Sequence, residues 1–322
     1  ASGGNYNTVV GDEAGTAINT GDQNTFVGAF SGEATATTAD NTALGLSTLR
    51  NNVGSYNTAL GSQALRTSGD TTYNTAVGYK AGYLVSTSVK NTLIGGEAGD
   101  GITSGDGLNV AVGYGALGAA SNTTQENVAI GNDALSTEDG HGRNVAVGFE
   151  ALKTLNAGAL GYNTAVGQQA GKAVTTGVQN TIIGALAGDA LTDADYNTAV
   201  GYDALSTDTL GSRSTAIGIN TLKSQNFTTA TETYNVAVGH SAGIAVTTGT
   251  LNTLIGGLAG DALTGNGFDG SGNRVAGADE NVAVGTSSLG TDTKGSKSTA
   301  IGASTLNAQN FTTATDTYNT AV

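Results

Sequence analysis

The 322-residue chain contains no cysteine, proline, methionine or tryptophan. Without cysteine it can form neither a disulfide nor a thiolate metal site. Proline removes a hydrogen bond from a sheet and is confined to edges and bulges, so its absence favours a fold in which nearly every strand is paired on both sides. No apolar run of about 18 residues is present, and the sequence therefore predicts no membrane-spanning helix.

Positive charge is also scarce. The chain has 12 lysines and arginines against 26 aspartates and glutamates, which leaves a net charge of −14. Nucleic-acid binding needs clustered positive charge, and this balance argues against it. We expect a well-solvated acidic surface that resists nonspecific association.

What the chain does contain is one short motif, Asn-Thr-Ala-Val-Gly, as in Asn74–Gly78, repeated from end to end about every 17 residues. Most gaps between successive motif glycines are 16 to 19 residues, and two are longer, at 21 and 29. An eighteenth copy starts at Asn319 and breaks off at Val322. The motif glycines are Gly11, Gly28, Gly45, Gly61, Gly78, Gly95, Gly113, Gly131, Gly148, Gly167, Gly184, Gly201, Gly218, Gly239, Gly256, Gly285 and Gly302. A short fixed period predicts stacked coils, hence a single repeat array over residues 1–322 with insertions at about 224–233 and 265–280.

Each place in the motif has its own residue type. The residue before the glycine is always Val, Ile or Leu (the aliphatic column), and the one before that is usually Ala (the alanine column). Next comes Thr in thirteen copies and Val in five (the Thr/Val column), preceded by Asn in sixteen of eighteen (the asparagine column), with Ser214 and Ser298 as exceptions.

Strand side chains alternate between two faces, so the aliphatic and Thr/Val columns share one face and the alanine and asparagine columns share the other. We expect the aliphatic column, for example Val77, Ile94 and Val112, to line up as the buried core. The alanine column then forms a flat apolar outer face. The asparagines are expected to form an amide ladder from coil to coil.

A second pattern lies four residues past each motif glycine, where Gly and Leu alternate in blocks of coils (the Gly/Leu column). The second coil of each Gly pair also replaces the motif alanine by a larger residue, namely Phe26, Leu93, Ile182 or Leu254. Because cores fill to nearly constant density, this exchange predicts that the two positions touch, either across the coil or across a subunit contact.

A thin coil rich in alanine and glycine has little core of its own. Packing an apolar face against a partner would supply the missing burial, so we expect self-association, most simply around a shared long axis.

The motif followed by x-x-Ala resembles the head repeat of YadA-type trimeric autotransporter adhesins. Runs such as Tyr73–Gly82 are similar to tail-fibre and surface-fibre proteins of phages and bacteria. The resemblance implies a left-handed parallel β-roll, three chains around one axis, and a place on a virion surface or outside a cell. The YadA-type coil is shorter than the one found here.

These observations lead to one expectation of fold and function. The fold is all-β, a parallel β-solenoid (β-roll) of about 17-residue coils, assembled as a homotrimer. The function is that of a structural fibre segment, a virion tail fibre or extracellular filament, which provides reach and stiffness. The alternative is a bacterial surface adhesin that binds a host receptor or glycan through its lateral face or loops.

No catalytic constellation stands out, and we expect neither an enzyme nor a cofactor or metal site. His141 lies in a glycine-rich turn, and His240 directly follows a motif glycine. Polysaccharide-cleaving proteins use a carboxylate pair in a groove, whereas acids scattered over turns are more typical of solvation. The turn acids considered are Glu138, Asp139, Asp193 and Asp195.

The insertion 265–280 partly matches a calcium-binding loop. It contains Asp269, Ser271, Asn273 and Glu280, but Arg274 stands where that loop needs glycine. A decorative loop is therefore favoured over a calcium site.

Two further hypotheses concern residue types that recur at one place in many coils. Tyrosine precedes the motif asparagine or follows the motif glycine in many coils, which indicates either aromatic stacking along the sheet edge or a stripe that binds sugar rings; stacking is favoured. The threonine row suggests an ice-binding face, but valine at five of its positions, taken as interior, argues against it. The tyrosines are Tyr6, Tyr56, Tyr73, Tyr162, Tyr196, Tyr234, Tyr318, Tyr79, Tyr114 and Tyr202.

Overall fold

The computed structural model describes residues 4–119, 125–138, 142–265 and 277–322. Within these ranges it contains strands and turns, and no helix long and apolar enough to cross a lipid bilayer. The chain divides into two compact units, residues 1–162 and 163–322, which are described separately.

In the first unit, one three-residue strand per coil pairs in parallel and in register with the strand of the next coil, for example Ala76 with Leu93. Its strands are β1 (Thr8–Val10), β2 (Thr25–Val27), β3 (Thr42–Leu44), β4 (Thr58–Leu60), β5 (Thr75–Val77), β6 (Thr92–Ile94), β7 (Val110–Val112), β8 (Val128–Ile130) and β9 (Val145–Val147). Each strand is the Thr/Val, alanine and aliphatic part of one motif copy.

The second unit repeats this arrangement. Its motif strands are β10 (Thr164–Val166), β11 (Thr181–Ile183), β12 (Thr198–Val200), β14 (Thr215–Ile217), β16 (Val236–Val238), β17 (Thr253–Ile255), β18 (Val282–Val284), β20 (Thr299–Ile301) and β22 (Thr320–Ala321). Two short parallel pairs are added, β13 (Gly211–Ser212) with β15 (Thr231–Glu232), and β19 (Gly295–Ser296) with β21 (Thr315–Asp316). The prediction of an all-β parallel β-solenoid is confirmed. The insertion expected at 224–233 supplies β15, whereas residues 266–276 of the other insertion lie outside the described part.

The motif glycine is needed for both its backbone angle and its close contacts. Gly78 has φ of 135°, in the region that favours glycine, and a Cβ added there would lie 2.4 Å from the carbonyl oxygen of Gly95 in the next coil. The amide of Gly95 in turn donates to the carbonyl of Val77 at 2.7 Å. The strand therefore leaves the sheet through a corner that no residue with a side chain fits.

The asparagine ladder is confirmed, with more bonds than expected. The Oδ1 atom of Asn74 accepts the backbone N–H of Asn91 at 2.9 Å, and the Asn74 amide nitrogen donates to the carbonyl of Ser88 at 3.1 Å. Asn74 itself is fully buried, with its own N–H donated to Asn57 Oδ1 at 3.0 Å. Each asparagine thus joins two coils and also closes its own coil.

The prediction that the aliphatic column forms the core is wrong. Val77, Ile94 and Val112 do line up in register, but they lie on the outward face, where Ile94 is 40 % exposed. The alanine column, expected to be the outer face, is buried; Ala76 and Ala111 have no exposed area. The alternation correctly grouped the columns into two faces, and the faces are inverted.

The reason is the narrow interior of the coil. The inward side of each strand shares the interior with the Gly/Leu column, whose leucines, such as Leu65 and Leu117, are fully buried. A small side chain on the strand leaves room for that leucine. This packing therefore puts alanine inside and leaves the larger aliphatic residues outside.

The predicted contact between the Gly/Leu column and the enlarged alanine positions is confirmed. A Cβ added at Gly32 would lie 2.5 Å from the ring of Phe26. Leu93 comes within 2.7 Å of such an atom at Gly99 and within 2.8 Å of one at Gly82 in the preceding coil. Leu93 therefore fills the space beside two glycines, and Leu254 does the same at Gly243 and Gly260. In the first pair, Phe26 fills the space at Gly32, whereas Val9 and Ile18 fill it at Gly15.

A further interior position, seven residues past the motif glycine, changes together with the Gly/Leu column. Leucine coils place a buried polar residue there, such as Asn52, Ser68 or Asp208, and glycine coils place a buried aliphatic one, such as Val85 or Ile102. In the sequence, Thr35, Ala120 and Leu155 depart from this rule. The sequence showed this signal, but only the interior location of the position makes it interpretable.

Where serine replaces asparagine in the asparagine column, a glutamine side chain inside the coil supplies the missing amide group. The Gln225 amide donates to Ser214 Oγ at 2.9 Å and to Asp208 Oδ2 at 2.6 Å, while its oxygen accepts from Asn235 at 2.8 Å. Asp208 also accepts the backbone N–H of Phe227 at 3.0 Å. Gln309 repeats this arrangement beside Ser298 with Asp292 and Asn319.

Candidate self-association surface

The outward face of the motif strands is a continuous apolar surface in each unit. It consists of the aliphatic column and, beside it, the Thr/Val column, and we call these two columns the strand face. The isoleucines of the aliphatic column are 38–41 % exposed, and the leucines are more exposed still, with Leu44 at 48 %. The six isoleucines are Ile94, Ile130, Ile183, Ile217, Ile255 and Ile301. Large contiguous apolar surfaces are rare on monomers and mark interaction sites.

The strand face carries no charge in any motif copy, because its two columns hold only Val, Ile, Leu and Thr. The column just before the asparagine is also exposed, yet it accepts Asp40, Lys90 and Arg143. Exposure in this fold therefore does not exclude charge. Some further requirement restricts the strand face to uncharged, mostly β-branched side chains.

The interior of the coil does not explain that restriction. The space inside is filled by the alanine column, the Gly/Leu column and the residues three places further on. The aliphatic side chains contribute to the strand pairing only through their backbone and leave a large part of their surface to solvent. A partner that covers the strand face would account for the pattern.

The threonines of the strand face also bear on the ice-binding hypothesis. The five valines of the Thr/Val column were expected to be interior, but Val110, Val128 and Val145 are half-buried on the same outward face as the threonines. That argument against an ice-binding face was wrong. The hypothesis itself stays a prediction.

The column before the asparagine forms a ladder of stacked side chains. The rings of Tyr56 and Tyr73 are stacked with centroids 4.9 Å apart, which confirms aromatic stacking at this edge. The Arg213 guanidinium lies 4.7 Å from the ring centre of Tyr196 and 5.8 Å from that of Tyr234. Cations over aromatic faces at such distances attract each other. These tyrosines remain about half exposed, so sugar binding stays a hypothesis.

Part of the surface charge is paired, within one coil or between neighbouring coils. Lys153 Nζ lies 2.7 Å from Glu150 and 3.4 Å from Asp133, and Lys223 Nζ lies 2.7 Å from Asp203. Such exposed pairs contribute little individually. They order the flanks of the coil and leave the strand face untouched.

Three aspartates occupy one place in the coil, five residues past the motif glycine, and are partly buried. Burial raises the pKa of Asp100, and the nearby charge of Glu97 raises it further. Burial likewise raises the pKa of Asp189, followed by the charge of Asp203, and burial alone raises that of Asp261. Perturbed carboxylates also occur in structural networks.

The sequence-predicted site residues do not come together. His240 is exposed, and Asp193 and Asp195 accept hydrogen bonds from Thr176 and the Val178 amide at 2.6 and 2.7 Å. Glu138 is buried. Among the described residues, no group of three or more His, Cys, Asp or Glu side chains is placed to hold a metal ion. His141, Asp139 and the loop acid Asp269, with Ser271, Asn273 and Arg274, lie outside the described residues.

Comparison with known proteins gives no relative: no protein-family model, no curated protein and no solved structure matches the chain.

Proposed function

We propose that this chain is a structural fibre segment, part of a virion tail fibre or extracellular filament, in which copies associate through the strand face. The assembly is a homotrimer around a shared axis, as the resemblance to YadA-type heads suggests, and its place is the virion surface or the outside of a cell. The role is mechanical and non-catalytic, giving reach and stiffness.

The single observation that supports this proposal is that the strand face is free of charge, whereas the exposed column before the asparagines accepts charge. A second copy of the chain offers a matching surface, because its coils have the same spacing and the same two columns. A face that packs against itself must exclude charge, since three like charges would be desolvated together around one axis.

The energetics are consistent with this role. Burying an isoleucine completely gains about 1.5–3 kcal/mol, and about two-fifths of each one is still exposed. Covering that remainder gains about 1 kcal/mol for each isoleucine. Repetition along the column brings the total into the range of the roughly 4–15 kcal/mol that association costs.

The test uses two isoleucines that lie two residues apart. Ile217 belongs to the strand face and is 38 % exposed, whereas Ile219 follows the motif glycine and is 48 % exposed. We expect Ile217→Asp to dissociate the assembly into folded single chains of 31.5 kDa, and Ile219→Asp to leave it assembled. Native mass spectrometry measures the mass and circular dichroism the fold.

If both variants keep the mass of the wild type, the strand face is not the interface. A stable wild-type monomer that slows ice growth, and loses this activity on Ile217→Asp, would reassign the face to ice.

The second candidate is a surface adhesin that binds a host receptor or glycan through its lateral face. The half-exposed tyrosines before the asparagine column favour it, since they add aromatic surface that the coil interior does not use. Adhesion of labelled chain to receptor-bearing cells tests this candidate, and a pure spacer predicts no adhesion.

A further inference from the structure

The insertion at about residues 224–233 creates a concave groove on the second unit. Its strand β15 pairs with β13 and forms a wall beside the column that precedes the asparagines. The groove has a volume of about 220 Å³. Its main lining residues are Asp195, Tyr196, Ser212, Arg213, Thr231 and Glu232.

Arg213 is held in place from three sides. Its Nε donates to Glu232 Oε1 at 3.0 Å, and its guanidinium lies between the rings of Tyr196 and Tyr234. The Tyr234 hydroxyl donates to the other oxygen of Glu232 at 2.7 Å, which fixes the acid as well. In the described part of the chain, no bond to the Arg213 terminal nitrogens is formed, so a ligand meets a pre-oriented pair of donors.

The opposite side of the groove offers further hydrogen-bonding groups. The backbone N–H of Asp195 donates to Ser212 Oγ at 3.0 Å, which leaves the serine hydroxyl hydrogen for another acceptor. The Asp195 carboxylate accepts the Val178 amide through one oxygen. Closely spaced donors and acceptors of this kind match adjacent hydroxyl groups on one molecule. The Tyr196 ring and the Ala230 methyl group add apolar contact.

The charge and size of the groove narrow the ligand class. Two carboxylates face one guanidinium, which disfavours an anion. The volume lies below the roughly 300–1,000 Å³ of pockets for drug-sized ligands, so a single ring is accommodated. We propose that this groove binds one uncharged hexopyranose unit of a glycan. This activity adds to the structural role and deepens the adhesin candidate.

The chain contains a second copy of the groove that serves as an internal control. Residues 225–231 recur identically at 309–315, and β19 and β21 repeat the strand pair. In this copy Glu280 stands in the place of Tyr196, and Lys297 replaces Arg213, with its Nζ 2.7 Å from Asp316. It therefore lacks the aromatic wall and the planar donor pair and gains a carboxylate. We expect it not to bind the sugar.

The test is saturation-transfer NMR and calorimetry with the methyl glycosides of glucose, galactose and mannose and with N-acetylglucosamine. We expect one of them to bind at one site per chain with a Kd of about 1 mM, the weak range for a single sugar. Tyr196→Glu should weaken binding at least about tenfold, a loss of 1.4 kcal/mol. Glu280→Gln in the control copy should leave it unchanged. The double variant Glu280→Tyr/Lys297→Arg should add a second site.

The proposal is overturned if none of the four sugars binds, or if Tyr196→Glu binds as the wild type does. Amide hydrogen exchange of β13 and β15 verifies that the variants keep the wall. The mass of the assembly is measured on the same samples, so failure of sugar binding and failure of self-association are read separately.

Discussion

Removing one side-chain amide from the asparagine ladder should lower the stability of the first unit strongly, because that amide bonds to more than one buried group. In Asn74→Ala, the buried N–H of Asn91 loses the Oδ1 acceptor it contacts at 2.9 Å, and the carbonyl of Ser88 loses a donor at 3.1 Å. Leaving a buried polar group without its partner costs about 1–3 kcal/mol. We therefore expect the free energy of unfolding to fall by about 2–6 kcal/mol for these two groups.

Urea unfolding measures the total loss, and hydrogen exchange locates it, because the Asn91 amide should lose protection first. Lys90→Ala is the control. It alters an exposed residue outside the strand face, next to Asn91, where substitutions usually change stability by about 0.5 kcal/mol or less. If Asn74→Ala costs no more than Lys90→Ala, the ladder does not hold the coils together.

Three further changes test other parts of the coil by urea unfolding. Gly78→Ala should cost more than Gly158→Ala. Both glycines have a positive φ that strains an alanine, but an added Cβ at Gly158 meets nothing within 4 Å while one at Gly78 meets the next coil at 2.4 Å; equal costs would contradict the corner. Ala129→Leu should lower the free energy of unfolding by about 1–3 kcal/mol through overpacking, since Ala129 is fully buried. A neutral result would indicate that the alanine column is exposed and not buried. Burial raises the pKa of Asp208, so its ionisation is less favourable in the folded state than in the unfolded state. The stability of the wild type relative to Asp208→Asn should therefore fall as the pH rises above about 4, the ordinary pKa of an aspartate; a rise would contradict the assignment.

The repeat itself could be read almost completely from the sequence. The spacing of the motif glycines predicts the coil, and the place of each strand follows from residues such as Thr75–Val77. The recurring asparagine predicts the ladder, because a buried amide at one place in every coil finds its partner in the next.

Which face is inside could not be read in the same way. Alternation groups Ala76 with Asn74 and Val77 with Thr75, but it is symmetric with respect to inside and outside. Hydrophobicity alone assigns valine to the interior. The Gly/Leu column decides the question, because a buried Leu65 leaves room only for alanine opposite. Predicting this contact requires knowing how the coil closes, which the sequence does not show.

The glutamine that replaces the missing asparagine amide inside the coil could not be predicted from the sequence either. Ser214 looked like a simple exception to the asparagine column, and nothing near it in the chain names Gln225 as its partner. These residues are eleven apart and meet only because the coil brings its two limbs together. The groove beside Arg213 depends on the same closure.

The measurement that bears most directly on the proposed fibre is the mass of the wild-type chain in native solution. If copies cover the strand face, the particle should have about three times the 31.5 kDa of one chain, and it should persist on dilution. A stable particle of 31.5 kDa would contradict self-association.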